Sequence, residues 1–193
     1  MRTLVKFGLA SILLASCVGH VYGQTSEPPP PPKPLKPVKV VGKAQALYFA
    51  NTNRTRVEVF MDVVGHFQEM YQKKDVLQLR VVYEVAGSRI TMPQSVVFFL
   101  TSFSSGGLKY SDNHSLSISI EGHHLLTTNT LKDRVNYSPN GISSEYFYIG
   151  LSYADFLRVA KSKTVDMEFG ATRFQLSPEN IEAMNDLIRI GEQ

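Results

Sequence analysis

The sequence predicts a mainly β protein, an antiparallel β-sandwich followed by a C-terminal helix–β-hairpin–helix unit at residues 152–193. Two observations lead to this class. Short segments between residues 38 and 151 alternate apolar and polar residues, as strands with one buried face do. After residue 151 the apolar spacing becomes helical, then alternates again, and ends in a second helical stripe. An α+β fold is the alternative, because the last part contains two helices.

The strand pattern is clearest at residues 77–85 and 115–121, where every second residue is apolar. Residues 95–103 are apolar on both faces, which is typical of a central strand of a sandwich. Glycine-containing and asparagine-containing breaks separate these segments and indicate turns. Further strands are predicted near residues 46–50, 56–62, 125–131 and 145–151.

Two capped helices are predicted in the C-terminal part. Ser152 and Asp155 form a capping-box-like start, and Ser177 precedes Pro178 at the first position of the second helix. Apolar residues recur at helical spacing after each start. They are Tyr153, Phe156, Leu157 and Ala160 in the first helix, and Ile181, Met184, Leu187 and Ile188 in the second.

A β-hairpin is predicted between the helices, with Gly170-Ala171 as a two-residue type II′ loop. This loop fixes one register, which places apolar pairs on one face and a charge pair on the other. The pairs are Met167 with Phe174, Val165 with Leu176, and Glu168 with Arg173.

The segment from residue 152 to about residue 190 resembles the C-terminal part of a family of uncharacterised exported bacterial proteins. The resemblance covers about a fifth of the chain, and most of its positions are packing and capping residues. It implies an exported bacterial origin, and it implies no activity or site residues. The matching residues are Ser152-Tyr153-Ala154-Asp155-Phe156-Leu157, Gly170-Ala171-Thr172-Arg173-Phe174-Gln175-Leu176 and the helix after Ser177.

Residues 1–16 have the organisation of a secretory signal peptide. A basic start with Arg2 and Lys6 precedes an apolar run that is too short to span a bilayer and remain there. The run ends in Leu14-Ala15-Ser16-Cys17, which resembles the bacterial lipobox. In a lipobox a diacylglyceryl group is attached to the cysteine thiol before the chain is cut ahead of it.

We therefore expect Cys17 to be lipidated and the protein to be exported and anchored in a membrane of the cell envelope, facing the periplasm or the exterior. The alternative cut follows Gly23, where small or medium residues occupy the positions before Gln24, and releases a soluble secreted protein. With the cut before Cys17, residues 1–16 are the signal peptide and residues 17–37 hold the lipidated cysteine and a proline-rich linker. Residues 28–37 predict a polyproline II rod of about 30 Å, and residues 38–193 predict a single β-rich domain.

Charge and composition exclude several functions. One cysteine rules out an internal disulfide framework and a cysteine-rich metal site. The net charge of +3 falls to +1 when Arg2 and Lys6 are removed with the signal. A nearly neutral protein carries no electrostatic footprint for nucleic acid, so no nucleic-acid partner is expected.

The sequence contains no recognised catalytic, nucleotide-binding or zinc-binding motif, so no catalytic residue, cofactor or metal site is assigned. Asp112 lies near three histidines in the sequence, and a secreted hydrolase that uses it with a nearby histidine is an alternative function. Polar turn residues explain Asp112 and His114 more simply. His123 and His124 are interpreted as an exposed hairpin tip, because neighbouring residues on a strand point to opposite faces.

Tyr146 and Tyr148 form the candidate binding surface. If Phe147 faces the core, the two tyrosines share the outer face of a strand and provide a stacking platform for a glycan or an envelope protein. The alternative is that a second layer covers them. The expected function is thus a non-catalytic, membrane-tethered lipoprotein that acts by binding or structural support, and a carbohydrate-binding module is a further alternative.

Overall fold

Two antiparallel sheets and two helices make up the part of the chain that the computed structural model describes, residues 39–72 and 74–192. The predicted signal peptide, Cys17 and the proline-rich linker lie outside these residues. In chain order the strands are β1 (Lys39–Val41), β2 (Ala44–Phe49), β3 (Arg54–Val64), β4 (Val76–Ala86), β5 (Ser95–Ser104), β6 (Ser115–Ile120), β7 (His123–Asn129), β8 (Leu131–Tyr137), β9 (Ser143–Ser152), β10 (Val165–Phe169) and β11 (Thr172–Gln175). The helices are α1 (Tyr153–Lys161) and α2 (Pro178–Glu192), and a short 3₁₀ helix spans Phe67–Gln72.

The larger sheet has the order β1-β2-β3-β4-β5-β9-β8, and the smaller one has the order β11-β10-β6-β7. Every neighbouring pair is antiparallel. The prediction of a mainly β, antiparallel sandwich is therefore confirmed. The sheets share one core, in which the ring of Phe147 on β9 packs edge-on against the ring of Phe169 on β10, with 5.1 Å between centroids.

Both helices lie on the inner face of the larger sheet. Phe156 of α1 packs against Phe98 of β5, and α2 lies against β1, β2 and β3. The side chain of Asn180 on α2 donates a hydrogen bond to the backbone oxygen of Asp62 on β3. No helix in the described part of the chain is long and apolar enough to cross a membrane.

The C-terminal predictions agree closely with the structure. Ser152 caps α1, with its hydroxyl oxygen accepting a hydrogen bond from the backbone nitrogen of Asp155, and Ser177 caps α2 in the same way. Gly170 has a φ of +59°, as the first residue of a type II′ turn requires. The register pairs Met167 with Phe174 and Glu168 with Arg173, and the nitrogen of Leu176 donates to the oxygen of Val165.

The hairpin β10–β11 is not a separate unit, because β10 also pairs with β6 and so joins the smaller sheet. A strand has two hydrogen-bonding edges, and buried backbone groups on the second edge need a partner as well. The sequence of the hairpin does not show which strand provides it.

Three strands differ from the sequence prediction. β1 and all of β8 after its first residue are not predicted, and the predicted strand at residues 125–131 ends as β7 at Asn129, with Leu131 starting β8 in the other sheet. The division falls at Thr130, which is buried and donates from its nitrogen and its hydroxyl to the backbone oxygen of His114. These two bonds hold the chain at the corner where it crosses between the sheets.

Candidate binding face of the larger sheet

Within the described residues, α1, α2 and the smaller sheet leave the outer face of the larger sheet uncovered, and only the 3₁₀ helix packs on one end of it, where the ring of Phe67 lies 5.3 Å from that of Phe103. Alternation along each strand sends one set of side chains inward and the next outward. On β5, for example, Phe98 is fully buried, whereas Val97 and Phe99 point outward and remain partly exposed. The apolar residues on both faces of β5 thus reflect one face in the core and one face open to solvent.

Five outward side chains align across five neighbouring strands and form what we call the aromatic row. Direct pairing places Phe60 beside Arg80, Arg80 beside Phe99, Phe99 beside Tyr148 and Tyr148 beside Leu131. Phe60 is 50% exposed and Leu131 is 61% exposed. With about 4.8 Å between strands, the row extends roughly 19 Å across the sheet.

Arg80 is stacked between two rings in the middle of this row. Its guanidinium carbon lies 5.1 Å from the centroid of Phe60 and 5.5 Å from that of Phe99. These distances are within the range of cation–π attraction. The rings of Phe99 and Tyr148 continue the row, with 5.7 Å between centroids and 37° between planes.

A buried carboxylate holds Arg80 in place. Glu58 is only 4% exposed, and its side chain accepts hydrogen bonds from Arg80 and from the amide nitrogen of Gln45, the latter at 3.0 Å. A charged hydrogen bond in a poorly solvated position is strong and directional. The row is therefore built in advance of any ligand.

A polar row runs parallel to the aromatic row, at the next outward position along each of the same five strands. It consists of Asp62, Gln78, Thr101, Tyr146 and Arg134, each paired with its neighbour across the sheet. The amide nitrogen of Gln78 donates to the carboxylate of Asp62 at 2.8 Å. The guanidinium carbon of Arg134 lies 4.5 Å from the ring centroid of Tyr146.

On the other side of the aromatic row lies a shallow depression of about 310 Å³. Val82 and Val97 are paired neighbours that line it, with Arg80 and Phe99 also contributing. Beside it, Gly150 pairs with Val97, and a Cβ added to Gly150 would meet nothing within 4 Å. The outer face is consequently open at this point.

The structure places both candidate tyrosines on this outer face. Tyr146 and Tyr148 are half-buried in their own strand, while Phe147 between them is fully buried in the core. The second layer lies on the side of Phe147, so the described residues leave both tyrosines accessible.

The structure does not bring together the residues of the hydrolase alternative, which are Asp112, His114, His123 and His124. The Nδ1 atom of His114 is 3.2 Å from the hydroxyl of Thr130, and its ring stacks on Phe147. His123 and His124 are exposed at the start of β7, where they pair with Ile120 and Ser119 at the other end of β6, roughly 20 Å from His114 along the strand. Asp112 is exposed, and within the described ranges no group of three or more His, Cys, Asp or Glu residues is arranged to hold a metal ion.

Sequence reasoning missed the centre of the face. Glu58, Phe60, Arg80 and Phe99 lie on three strands, and none was singled out as a site residue. The useful signal was the apolar second face of residues 95–103. This second face is an outward apolar surface, because the helices and the smaller sheet pack on the other face of the larger sheet only.

Comparison of this chain with protein-family models, with curated proteins and with solved structures finds no match.

Proposed function

We propose that this protein is an exported lipoprotein of the bacterial cell envelope, anchored through a diacylglyceryl group on Cys17, and that it acts by binding rather than by catalysis. The observation that carries the binding role is the uncovered aromatic row, with Tyr148 in it and Tyr146 beside it. The partner would be a glycan or another envelope protein.

Aromatic and arginine side chains on an open surface support a binding role. Tyrosine and arginine provide large contact areas together with polar groups, and they are enriched at recognition sites. The face is also rigid, because Arg80 is held by Glu58 and by two rings. A rigid surface loses little conformational entropy when it binds.

The tether rests on the N-terminal sequence. Cys17 follows a basic start and a short apolar run, and proline-rich residues 28–37 separate it from the domain. A polyproline II spacer of about 30 Å would hold the domain away from the membrane surface and leave the outer face accessible.

Processing of the chain in a bacterial host tests the tether. We expect globomycin, which inhibits the lipoprotein signal peptidase, to cause accumulation of a larger precursor, and Cys17→Ser to prevent lipidation and membrane retention. The matched variant is Gly23→Glu, which would block the alternative cut before Gln24 and is expected to change nothing.

The opposite pattern would contradict the proposal. A mature form that begins at Gln24, is unaffected by Cys17→Ser and is lost in Gly23→Glu would show a freely secreted protein. Mass spectrometry of the mature N-terminus distinguishes the two outcomes.

A further inference from the structure

We propose that the aromatic row binds a neutral, extended oligosaccharide with equatorial β-1,4 linkages, which lies across the strands of the larger sheet. This inference rests on the proposed function, in which the outer face is the binding site. It adds the chemical class of the ligand, its direction on the sheet and the side chains that contact it.

The charges on the outer face favour a neutral ligand. The carboxylate of Glu58 is paired with Arg80, and that of Glu84 lies 2.7 Å from Arg56. Asp62 accepts hydrogen bonds from the side chain of Gln78 and the backbone nitrogen of Phe67, and Arg134 lies 3.9 Å from Asp133. The carboxylates of Glu58 and Glu84 are thus compensated within the face, and a charged ligand that paired with them or with their arginines would have to displace an existing partner.

The spacing of the row favours an extended glycan. Its side chains are separated by the distance between strands, about 4.8 Å. The sugar-to-sugar repeat of an extended β-1,4 glycan is close to this distance, so successive sugars would lie over successive strands. Phe60, Phe99 and Tyr148 would then contact the apolar C–H faces of the sugar rings.

Polar groups beside the row suit sugar hydroxyls. Gln78, Thr101 and Tyr146 lie two residues along the same strands, at the next outward position, and carry an amide and two hydroxyl groups. In ligand sites that are lined mainly by apolar side chains, a few hydrogen-bonding groups of this kind fix the orientation of the ligand. On the other side, the depression of about 310 Å³ is at the small end of ligand pockets and suits a single sugar ring or substituent.

Calorimetric titration of the purified mature chain tests the inference. The probes are cellohexaose and chitohexaose, which are β-1,4-linked, and maltohexaose, which has axial α-1,4 linkages and a curved shape. We expect at least one β-1,4 probe to bind and maltohexaose to bind about tenfold more weakly or not at all.

Variants locate the binding site. Phe60→Ala and Tyr148→Ala are each expected to weaken binding about tenfold or more, whereas Tyr148→Phe keeps the ring and should stay within about twofold. Tyr137→Ala is the matched control, because Tyr137 is 70% exposed on β8 of the same sheet but pairs with inward-facing Ser143. Urea midpoints confirm that each variant is folded.

Three results would overturn the inference: no binding of either β-1,4 probe, equal binding of maltohexaose, or equal loss in Tyr137→Ala and Tyr148→Ala. None of them affects the processing experiment on Cys17. If the titration shows no binding and the processing experiment shows that Cys17 is lipidated and the protein is retained in the membrane, the glycan proposal is rejected and the tether proposal stands.

Discussion

The guanidinium of Arg80 donates a hydrogen bond to the carboxylate of Glu58, whose side chain is only 5% exposed. This contact neutralises a charge that the sheet has removed from water. It also holds Arg80 between the rings of Phe60 and Phe99. Stability and the shape of the candidate binding face therefore depend on the same ion pair.

Replacing Arg80 with methionine is expected to destabilise the fold by about 2–3 kcal/mol, because it leaves the Glu58 charge buried without its partner. This loss is at the lower end of the range for breaking a buried ion pair. The reason is that the substitution also removes the Nε atom of Arg80, a buried donor with no partner among the described residues. Urea unfolding measures the change.

The control for this prediction is Arg56→Met. Arg56 pairs with Glu84, but both side chains are about a third exposed, so the cost should stay below about 1 kcal/mol. Adding Glu58→Gln to Arg80→Met should recover part of the stability. An equal cost for Arg80→Met and Arg56→Met would show that the burial of Glu58 does not matter.

Glu145 organises the loop before β6, and Glu145→Gln is expected to cost about 2 kcal/mol. Glu145 is 1% exposed, and its carboxylate accepts hydrogen bonds from the nitrogens of Lys109 and Tyr110 and from the hydroxyl of Ser111. A glutamine would turn an NH₂ group toward one of these donors. Hydrogen exchange at the two amides should become faster.

Glu121→Gln is the comparison for Glu145. Glu121 also accepts a backbone hydrogen bond, from Lys163 at 3.3 Å, but it is exposed. Water can replace its partner, so we expect a change below about 0.5 kcal/mol. Unchanged amide exchange in Glu145→Gln would mean that the loop is held by other contacts.

Gly42 lies where the turn between β1 and β2 meets α2, and Gly42→Ala is expected to cost about 2 kcal/mol more than Gly87→Ala. Both glycines have positive φ, +54° and +77°, so both variants carry the left-handed penalty. A Cβ at Gly42 would also overlap the carboxylate of Asp186, which accepts a hydrogen bond from the nitrogen of Lys43 at 2.8 Å.

Gly87 is the matched position because an added Cβ there meets nothing within 4 Å. Thermal unfolding of the two variants separates the shared backbone penalty from the overlap with Asp186. Equal destabilisation would show that Asp186 moves aside without losing its bond.

The stability contributed by Asp75 is expected to fall at acidic pH. Partial burial raises the pKa of the Asp75 carboxyl, but hydrogen bonds from Ser104 at 2.8 Å and Lys109 at 3.0 Å outweigh it, so the pKa lies below its ordinary value. A lowered folded pKa stabilises the fold above the unfolded pKa of about 3.9, and this contribution is lost as the pH falls through the folded value.

We therefore expect Asp75→Asn to be less stable than the unsubstituted protein at neutral pH, by less than about 1 kcal/mol because the side chain is 46% exposed. The difference should shrink between about pH 5 and pH 2. Urea unfolding over this range, with exposed Asp112→Asn as the control, measures it. A difference that grows toward acid would contradict the sign.

The C-terminal part could be predicted in detail because its determinants are local. The cap at Ser152, the type II′ turn at Gly170 and the register of Glu168 with Arg173 each involve residues a few positions apart. The exchange between sheets at Thr130 could not be predicted in this way. It depends on the backbone oxygen of His114, which belongs to a different turn.

The candidate face was predicted only in part. Alternation along β9 is enough to place Tyr146 and Tyr148 on one side, because the side-chain period of a strand is two. Their neighbours in the aromatic row come from β3, β4, β5 and β8. No local pattern states which strands are adjacent.

The sequence by itself determined the mainly β class, most of the strands and both α-helices, the caps and turn of the C-terminal part, and the two faces of each predicted strand. These follow from side-chain period, capping and turn chemistry, which act over a few residues. Only the tertiary structure decided that Phe60, Arg80, Phe99 and Tyr148 lie in one row and that the helices cover the opposite face. Backbone hydrogen bonds can join almost any two strands, so the choice of partners is made by packing of the whole core.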